Sequence, residues 1–319
     1  MAKLYNVAGK RIWVAGHSGM VGSALVRRLA GTGAEVLTVS RNSVDLRRQL
    51  AVEDWLAANR PAAVILVAAT VGGIGANRTR PVDFLYDNLA ISTNVVHAAA
   101  ETGVEKLLFL GCSCWYPREA AQPVCEASLL TGPLEPTNEA FAIAKIASAK
   151  LCQVYRKQHG KDFIVAVPTS LFGPADNFNL TDGHVIPSLF RKIRDARESG
   201  AACVDIWGTG EPLREFLYVD DAADALVFLM EHYSEEEIIN VAGGETARIQ
   251  ELAHWIAEIA EYSGGLHFDI SKPDGMPRKV LDGSRIRALG WQPSTSLRDG
   301  LARTWHWFRT CPDWPAAPC

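Results

Sequence analysis

Two thiols and an amine are the side chains with the most chemical potential in one short stretch of this sequence. Cys112, Ser113 and Cys114 follow the apolar run Leu107–Leu110, and Lys145 comes one helical turn after Phe141. A thiolate acts as a general base or nucleophile when its surroundings lower its pKa. Side chains four apart on a helix share a face, so Lys145 reaches whatever Phe141 touches. Thr137-Asn138-Glu139 reads as the capped start of that helix. The apolar run suits a buried parallel strand, and open α/β sheets bind ligands at the carboxyl ends of such strands. Cys112 and Cys114 would also make half a metal site, but no second close pair or nearby His completes one, and no metal is expected.

The elements that position this stretch begin at the N-terminus. Arg11–Ala15 is a β-like run, followed by Gly16-His17-Ser18-Gly19-Met20-Val21-Gly22 and the helical SALVRRLAGTG. Glycines spaced G-x-x-G-x-x-G between a strand and a helix let the backbone approach a pyrophosphate at the helix N-terminus, where free N–H groups favour anions. A plain tight turn is the alternative. A second strand, Glu35–Val39, ends at Ser40-Arg41, and no acid follows until Asp45. A carboxylate there would take the 2′-hydroxyl of NAD, whereas Arg41 accommodates a 2′-phosphate, so the cofactor expected is NADP(H). A third strand, Ala63–Ala68, opens into a loop of small residues, Ala69 to Ile74, over which a dinucleotide fits. The helix Asp83–Glu101 carries Asn88 and Asn94; Asn88 either contacts the cofactor or satisfies loop backbone.

Beyond the central stretch, Phe163–Val167 is another strand, leading to Pro168. Shorter elements follow: a helix from about Pro187, a strand near Val204–Trp207, and helices from Asp220, over Ile249–Tyr262 and over Leu297–Phe308. Trp305, Trp307 and Phe308 read as core or interface packing, and Cys311–Cys319 as a poorly ordered tail. Alternating strands and helices imply an α/β fold, a Rossmann-like doubly wound parallel sheet with a smaller C-terminal α/β substrate domain. The division expected is residues 1–170 for the NADP(H) domain, with part of 215–245 returning to it, and 171–319 mainly for the substrate. A net charge of -4 and a pI near 6.1 give no basic excess for nucleic acid. No apolar run is long enough to span a bilayer, so neither partner is expected. Seven scattered cysteines read as reduced cytoplasmic thiols.

Taken together, the motifs GHSGMVGSALVRRL, VGGIGANRTRP, KLLFLG-x-SC-x-YP, LEPTNE-x-x-AIAKIA, GP-x-DNF, HVIPSL, WGTG-x-P-x-REF and SKPDG-x-PRK-x-LD run in order through almost the whole chain. In them the chain resembles the extended short-chain dehydrogenase/reductases, and among these the GDP-L-fucose synthase family of GDP-4-keto-6-deoxy-D-mannose 3,5-epimerase/4-reductases. The resemblance implies NADPH in the first domain, a GDP-linked keto-deoxy-sugar between the domains, and a homodimer. It implies a Cys–His pair inverting C3 and C5, matching Cys114 and His184, and a Lys gripping the nicotinamide ribose, matching Lys145. Ala68, Ala69, Asn88, Pro168 and His184 are implied along the cofactor. Trp207 is implied on the nucleotide, Arg214 and Lys279 on the diphosphate with Arg191 or Lys192 assisting, and Asn177 on the sugar or diphosphate.

At one centre the chain departs from the family. The Tyr that protonates the reduced C4 oxygen is Phe141, and the Ser that assists it is Cys112, a poor hydrogen-bond donor. Ser170 and Phe172 stand where Asn and Tyr are usual. A lost acid of this kind costs ~10²–10⁴-fold in its step. The expected activity is therefore C3/C5 epimerisation with C4 reduction in question. The alternatives are a full epimerase/reductase with another proton donor or a single engineered Tyr-to-Phe change, a silent NADP(H) or nucleotide-sugar binder, and a repurposed centre using Cys112 on another keto-sugar.

Overall fold

In the computed structural model, which describes residues 3–272 and 274–311, the apolar runs of the N-terminal half become strands separated by helices. They follow as β1 (Arg11–Ala15), α1 (Met20–Ala30), β2 (Glu35–Leu37), α2 (Gln49–Asn59), β3 (Ala63–Leu66), α3 (Ile74–Thr79), α4 (Pro81–Glu101), β4 (Lys106–Leu110), α5 (Glu139–His159) and β5 (Asp162–Pro168). Every residue of β3 and β4 is buried, because helices cover both faces of a parallel sheet and leave no solvent-facing position. β2 and β3 are shorter than their apolar runs. At β3 the reason is visible: the N–H groups of Val67 and Ala68 both turn onto the Ala15 carbonyl, which ends the ladder and frees the following loop.

The second half supplies β6 (Ser170–Phe172), α6 (Val185–Ser199), β7 (Cys203–Trp207), β8 (Leu213–Tyr218), α7 (Val219–His232), β9 (Ile239–Val241), β10 (Glu245–Arg248), α8 (Ile249–Ile259), β11 (Gly265–Asp269), β12 (Arg278–Lys279), α9 (Ser284–Ala288) and α10 (Leu297–Thr310). β9 rejoins the first unit and completes a six-stranded sheet in the order β2-β1-β3-β4-β5-β9, all of whose neighbours are parallel. The order reverses between β1 and β3, so the loops that leave them diverge and open a crevice at that point. Ile286 of α9 and the following Trp291 also pack in the first unit's core, with Ile12, Leu108 and Met230. Residues 284–291 therefore leave the substrate unit to which a simple split at 170 assigns them.

The smaller unit is a sheet of β10, β8 and β12 with β6 beside β8, plus the pair β11 and β7. Its core gathers Phe172, Phe190, Ile206, Phe216, Leu252, Ile256, Trp305 and Phe308; Trp307 is half-buried and stacks on Phe178. Glu215 ties the units together. Its buried carboxylate accepts the N–H groups of Gly243, Gly244 and Leu281 at 2.8, 3.1 and 2.9 Å, which satisfies a charge that burial would otherwise penalise heavily. Those bonds fix β8 and the chain after β12, where Arg214 and Lys279 reside. Residues 312–319, which include most of the tail expected to be poorly ordered, lie outside the described residues. Among the described residues no helix is long and apolar enough to cross a membrane.

Candidate active site

The crevice at the strand-order reversal is lined by glycine for a steric reason. Gly16 has φ of +98°, and a Cβ there would sit 2.6 Å from the Ala68 nitrogen; a Cβ on Gly22 would sit 2.0 Å from the Gly16 carbonyl oxygen. The two loops and the start of α1 thus touch through bare backbone. No side chain caps α1 at Gly19, so its first N–H groups are left for an anion. Ser18 is exposed between the glycines, and Met20 and Val21 turn partly into the core beneath. This cradle fits a dinucleotide pyrophosphate.

Across it, Arg41 is exposed beyond β2. The nearest acid, Asp45, is held at about 2 by its hydrogen bonds with Arg47, whose guanidinium also pairs with Asp87 at 3.2 Å. Asp87 in turn accepts the Thr70 hydroxyl at 3.1 Å. Asp45 is committed, and the exposed Arg41, whose charge also reaches Asp45, is a cation at this edge that fits a 2′-phosphate. Asn88 is also committed: it accepts the Thr70 N–H at 3.0 Å and donates to the Thr70 and Phe84 carbonyls at 2.9 and 2.7 Å. Of the two readings open for Asn88, pinning the loop accounts for its hydrogen bonds. Ala68 and Ala69 are half-buried on that loop, and Pro168 is buried at the end of β5.

β4 delivers the thiols. Gly111, at its end, must be glycine because the Trp115 ring lies 2.4 Å from where its Cβ would be. Cys112 is extended, and Ser113–Trp115 form one 3₁₀ turn, which brings the Cys112 and Cys114 sulfurs to 3.1 Å. Lys145 is buried and donates to the Leu110 carbonyl at 2.8 Å. Burial pushes its amine down to about 8, against the pull of the neighbouring thiols. Burial holds the proton on Cys112 and raises that thiol well above its usual value. The hydrogen bond between the two sulfurs, with Lys279 and Lys145 nearby, brings the Cys114 thiol below the ordinary value. The Phe141 ring packs edge-on to Phe84 at 6.1 Å, and the Lys145 ammonium lies 5.9 Å from its centre. The helix that carries both starts without the expected cap. Asn138 makes no side-chain capping bond, and Thr137 instead donates its hydroxyl to Glu135 at 3.2 Å.

The opposite wall comes from the smaller unit. His184 caps the start of α6; its ring is exposed to the cleft mouth, and crowding by surrounding protein together with the Lys279 charge lowers its pKa. Lys279 also acts on Cys114, so thiol and imidazole share one cationic neighbour. The loop before His184 is strapped to the small-residue loop by Gly73 N–H donating to the Asp182 carbonyl at 2.7 Å. Lys279 and Arg214 are register partners on β12 and β8, and neither makes a salt bridge to a described residue. Two adjacent cations of this kind suit a diphosphate. Trp207 is 65% exposed and flanked by the Lys192 and Lys272 ammoniums at 5.8 and 5.9 Å, an open face for a base. Of the two residues left undecided on α6, Lys192 is the one at Trp207; Arg191 pairs with Asp195 at 2.8 Å. Asn177 accepts the Asn179 N–H at 3.0 Å, folding its own loop.

The model of the NAD dependent epimerase/dehydratase family matches residues 12–242. The chain is 54% identical over 305 residues to a GDP-L-fucose synthase of Sinorhizobium fredii, covering 96% of this chain and 97% of the relative. The chain belongs to this epimerase/dehydratase family, alongside its GDP-L-fucose synthases. A GDP-L-fucose synthetase from Naegleria fowleri, solved bound to NADP, superposes with a TM-score of 0.89 at 29% identity over 98% of both chains. A GDP-mannoheptose C4 reductase from Campylobacter jejuni, solved with NADP bound, superposes with a TM-score of 0.85 at 34% identity over 94% of this chain and 98% of the other.

Two residues of the site region lie inside sequence motifs that give them no part in the site. The Asn138 Oδ1 and the Asp176 Oδ2 are buried without a hydrogen-bond partner; Asn138 lines the small pocket beside Cys114, with Glu135, Gln122 and Met276. Burial raises the Asp176 carboxyl to about 7. Both depend on contacts between distant segments, which no local pattern encodes.

Proposed function

We propose that the chain is an NADP(H)-binding GDP-4-keto-6-deoxy-hexose 3,5-epimerase of the GDP-L-fucose synthase type, whose C4 reduction is limited at proton delivery. The observation that carries the reading is the Cys114 thiol lining one pocket with Lys279, with His184 at the N-terminus of α6 also within reach of the Lys279 charge. It stands in a chain more than half identical to a protein named GDP-L-fucose synthase. The glycine cradle and α1 would hold the pyrophosphate, Arg41 the 2′-phosphate and Lys145 the ribose. Bound NADPH supplies the hydride for C4. Trp207, Lys192, Arg214 and Lys279 would hold the GDP moiety, with Asn177 near the sugar.

A ketone at C4 acidifies the C3 and C5 protons because the carbanion is an enolate. Cys114, its thiolate favoured by Cys112 and the two lysines, removes such a proton. His184 returns one on the opposite face, and its lowered pKa makes its imidazolium the stronger acid. At C4 the Lys145 ammonium offsets the charge growing on oxygen, but the Phe141 ring in the tyrosine position has no proton to give.

The test is incubation of GDP-4-keto-6-deoxy-mannose in D₂O without NADPH. Deuterium should appear at C3 and C5, and Cys114→Ser should lower its rate by at least about 10²-fold. Exchange untouched by that substitution, or none from the unaltered chain, refutes the reading. We further propose a homodimer in the cytoplasm. Exposed Val82 and Tyr86 on α4 and Ile143 and Val154 on α5 support a subunit contact, and the free cysteines among the described residues support a reducing compartment.

A further inference from the structure

We propose that Cys112 and Cys114 are a peroxide-reactive dithiol that closes into a reversible disulfide. The sulfurs already touch at 3.1 Å, and a bond needs ~2.05 Å, a closure of about 1 Å that rotation of two short side chains supplies. The turn that holds them is fixed from behind by the Trp115 ring under Gly111, so the pair stays together and faces the cleft. Cys114 lines the small pocket beside Lys279, open to a small oxidant. Lys145 and Lys279 favour the thiolate at Cys114, and the thiolate is the form that peroxides attack. Cys112 keeps its proton and stands as the resolving thiol.

The reaction balances with a hydroperoxide as the oxidant. The Cys114 thiolate attacks the peroxide, the O–O bond breaks, and the departing alkoxide or hydroxide takes a proton from water. Cys114 is then a sulfenic acid. The Cys112 sulfur displaces its hydroxyl; the S–S bond forms, the S–O bond breaks, and the thiol proton leaves with hydroxide as water. The two thiols lose two electrons and the peroxide gains them. Buried Cys152, whose thiol burial raises to about 12, has no part in this. Exposed Cys125 and Cys203 have no thiol partner among the described residues and serve as internal references.

The consequence for catalysis rests on the epimerase reading, since a disulfide removes its base; the bond itself does not. The test treats the full chain with limiting hydrogen peroxide, alkylates the remaining thiols and digests with trypsin, which releases Leu107–Arg118 containing only these two cysteines. The expected result is that this peptide escapes alkylation and is found about 2 Da below the mass of its unalkylated dithiol, before Cys125 or Cys203 react, and that dithiothreitol restores its alkylation. Deuterium exchange should fall by at least about tenfold on full oxidation and return on reduction. Cys112→Ser should instead accumulate sulfenic and sulfinic acid on Cys114, which dithiothreitol does not fully reverse. Cys112→Ala serves as a second variant, and if neither folds, the peptide masses of the unaltered chain decide. The same sulfinic product there, or oxidation no faster than at Cys125, overturns the proposal. A disulfide formed in a chain that never catalyses exchange leaves the dithiol standing and rejects the epimerase reading alone.

Discussion

Replacing Phe141 with Tyr puts a phenol where the chain now presents only a ring. The ring centre lies 5.9 Å from the Lys145 ammonium, within reach of a hydroxyl added at the para position. Lys145, with its pKa near 8, is charged at neutral pH and would favour the phenolate, which is the condition for a phenol to act as an acid. Phe141 is half-buried rather than part of the closed core and meets Phe84 edge-on, so the thermal midpoint should hardly move. A positioned general acid is worth ~10²–10⁴-fold, or about 3–5 kcal/mol of barrier. The assay follows NADPH absorbance with GDP-4-keto-6-deoxy-mannose, beside deuterium exchange on the same preparation. Phe141→Tyr should raise NADPH oxidation by about 10²-fold or more while exchange stays within about threefold. Adding Cys112→Ser, which supplies a hydroxyl partner for the phenol, should raise it further than either change alone predicts. Reduction unchanged in the single and double variants, with exchange intact, would falsify the account of Phe141 as the block.

Other outcomes follow from the same geometry. Arg41→Ala should raise the NADPH KM at least about tenfold and leave that for NADH nearly unchanged; an equal rise for both cofactors would show that Arg41 does not read the 2′-phosphate. Asp176 titrates near 7 when folded and 3.8 otherwise, so the folded chain binds the extra proton and stability is lost as pH rises through that window. Asp176→Asn should therefore stabilise more at pH 8 than at pH 5, by about 2–3 kcal/mol. Denaturation midpoints at the two pH values check this, and a pH-independent effect rules it out.

The strands and helices were readable where local periodicity and burial agree: β1, the glycine turn and α1 follow from one continuous pattern, and Lys106–Leu110 from an apolar run with helices on either side. The ends were less so. Asn138 looks like a cap from its neighbours, yet Thr137 bonds Glu135 and the Asn138 side-chain Oδ1 is buried without a partner. Which cation serves the diphosphate side was undecidable from spacing, because Arg191 and Lys192 are adjacent and only the fold brings Asp195 to one and Trp207 to the other. The return of residues 284–291 to the first core was hidden for the same reason. Cys112 and Cys114 were visible as a pair, but their contact depends on one turn of 3₁₀ helix packed on Trp115.

The triangle of Arg47 with Asp45 and Asp87 bears on how easily coenzyme preference drifts. An acid suited to the diol of NAD already exists in Asp45, a few positions past Arg41, but it is tethered. Cutting the tether at Arg47 also strands Asp87, and with it the hydroxyl of Thr70 on the loop across the crevice. A single substitution toward NAD therefore disturbs the far rim of the pocket as well as the near one, and a swap of preference in this chain calls for concerted changes on both sides.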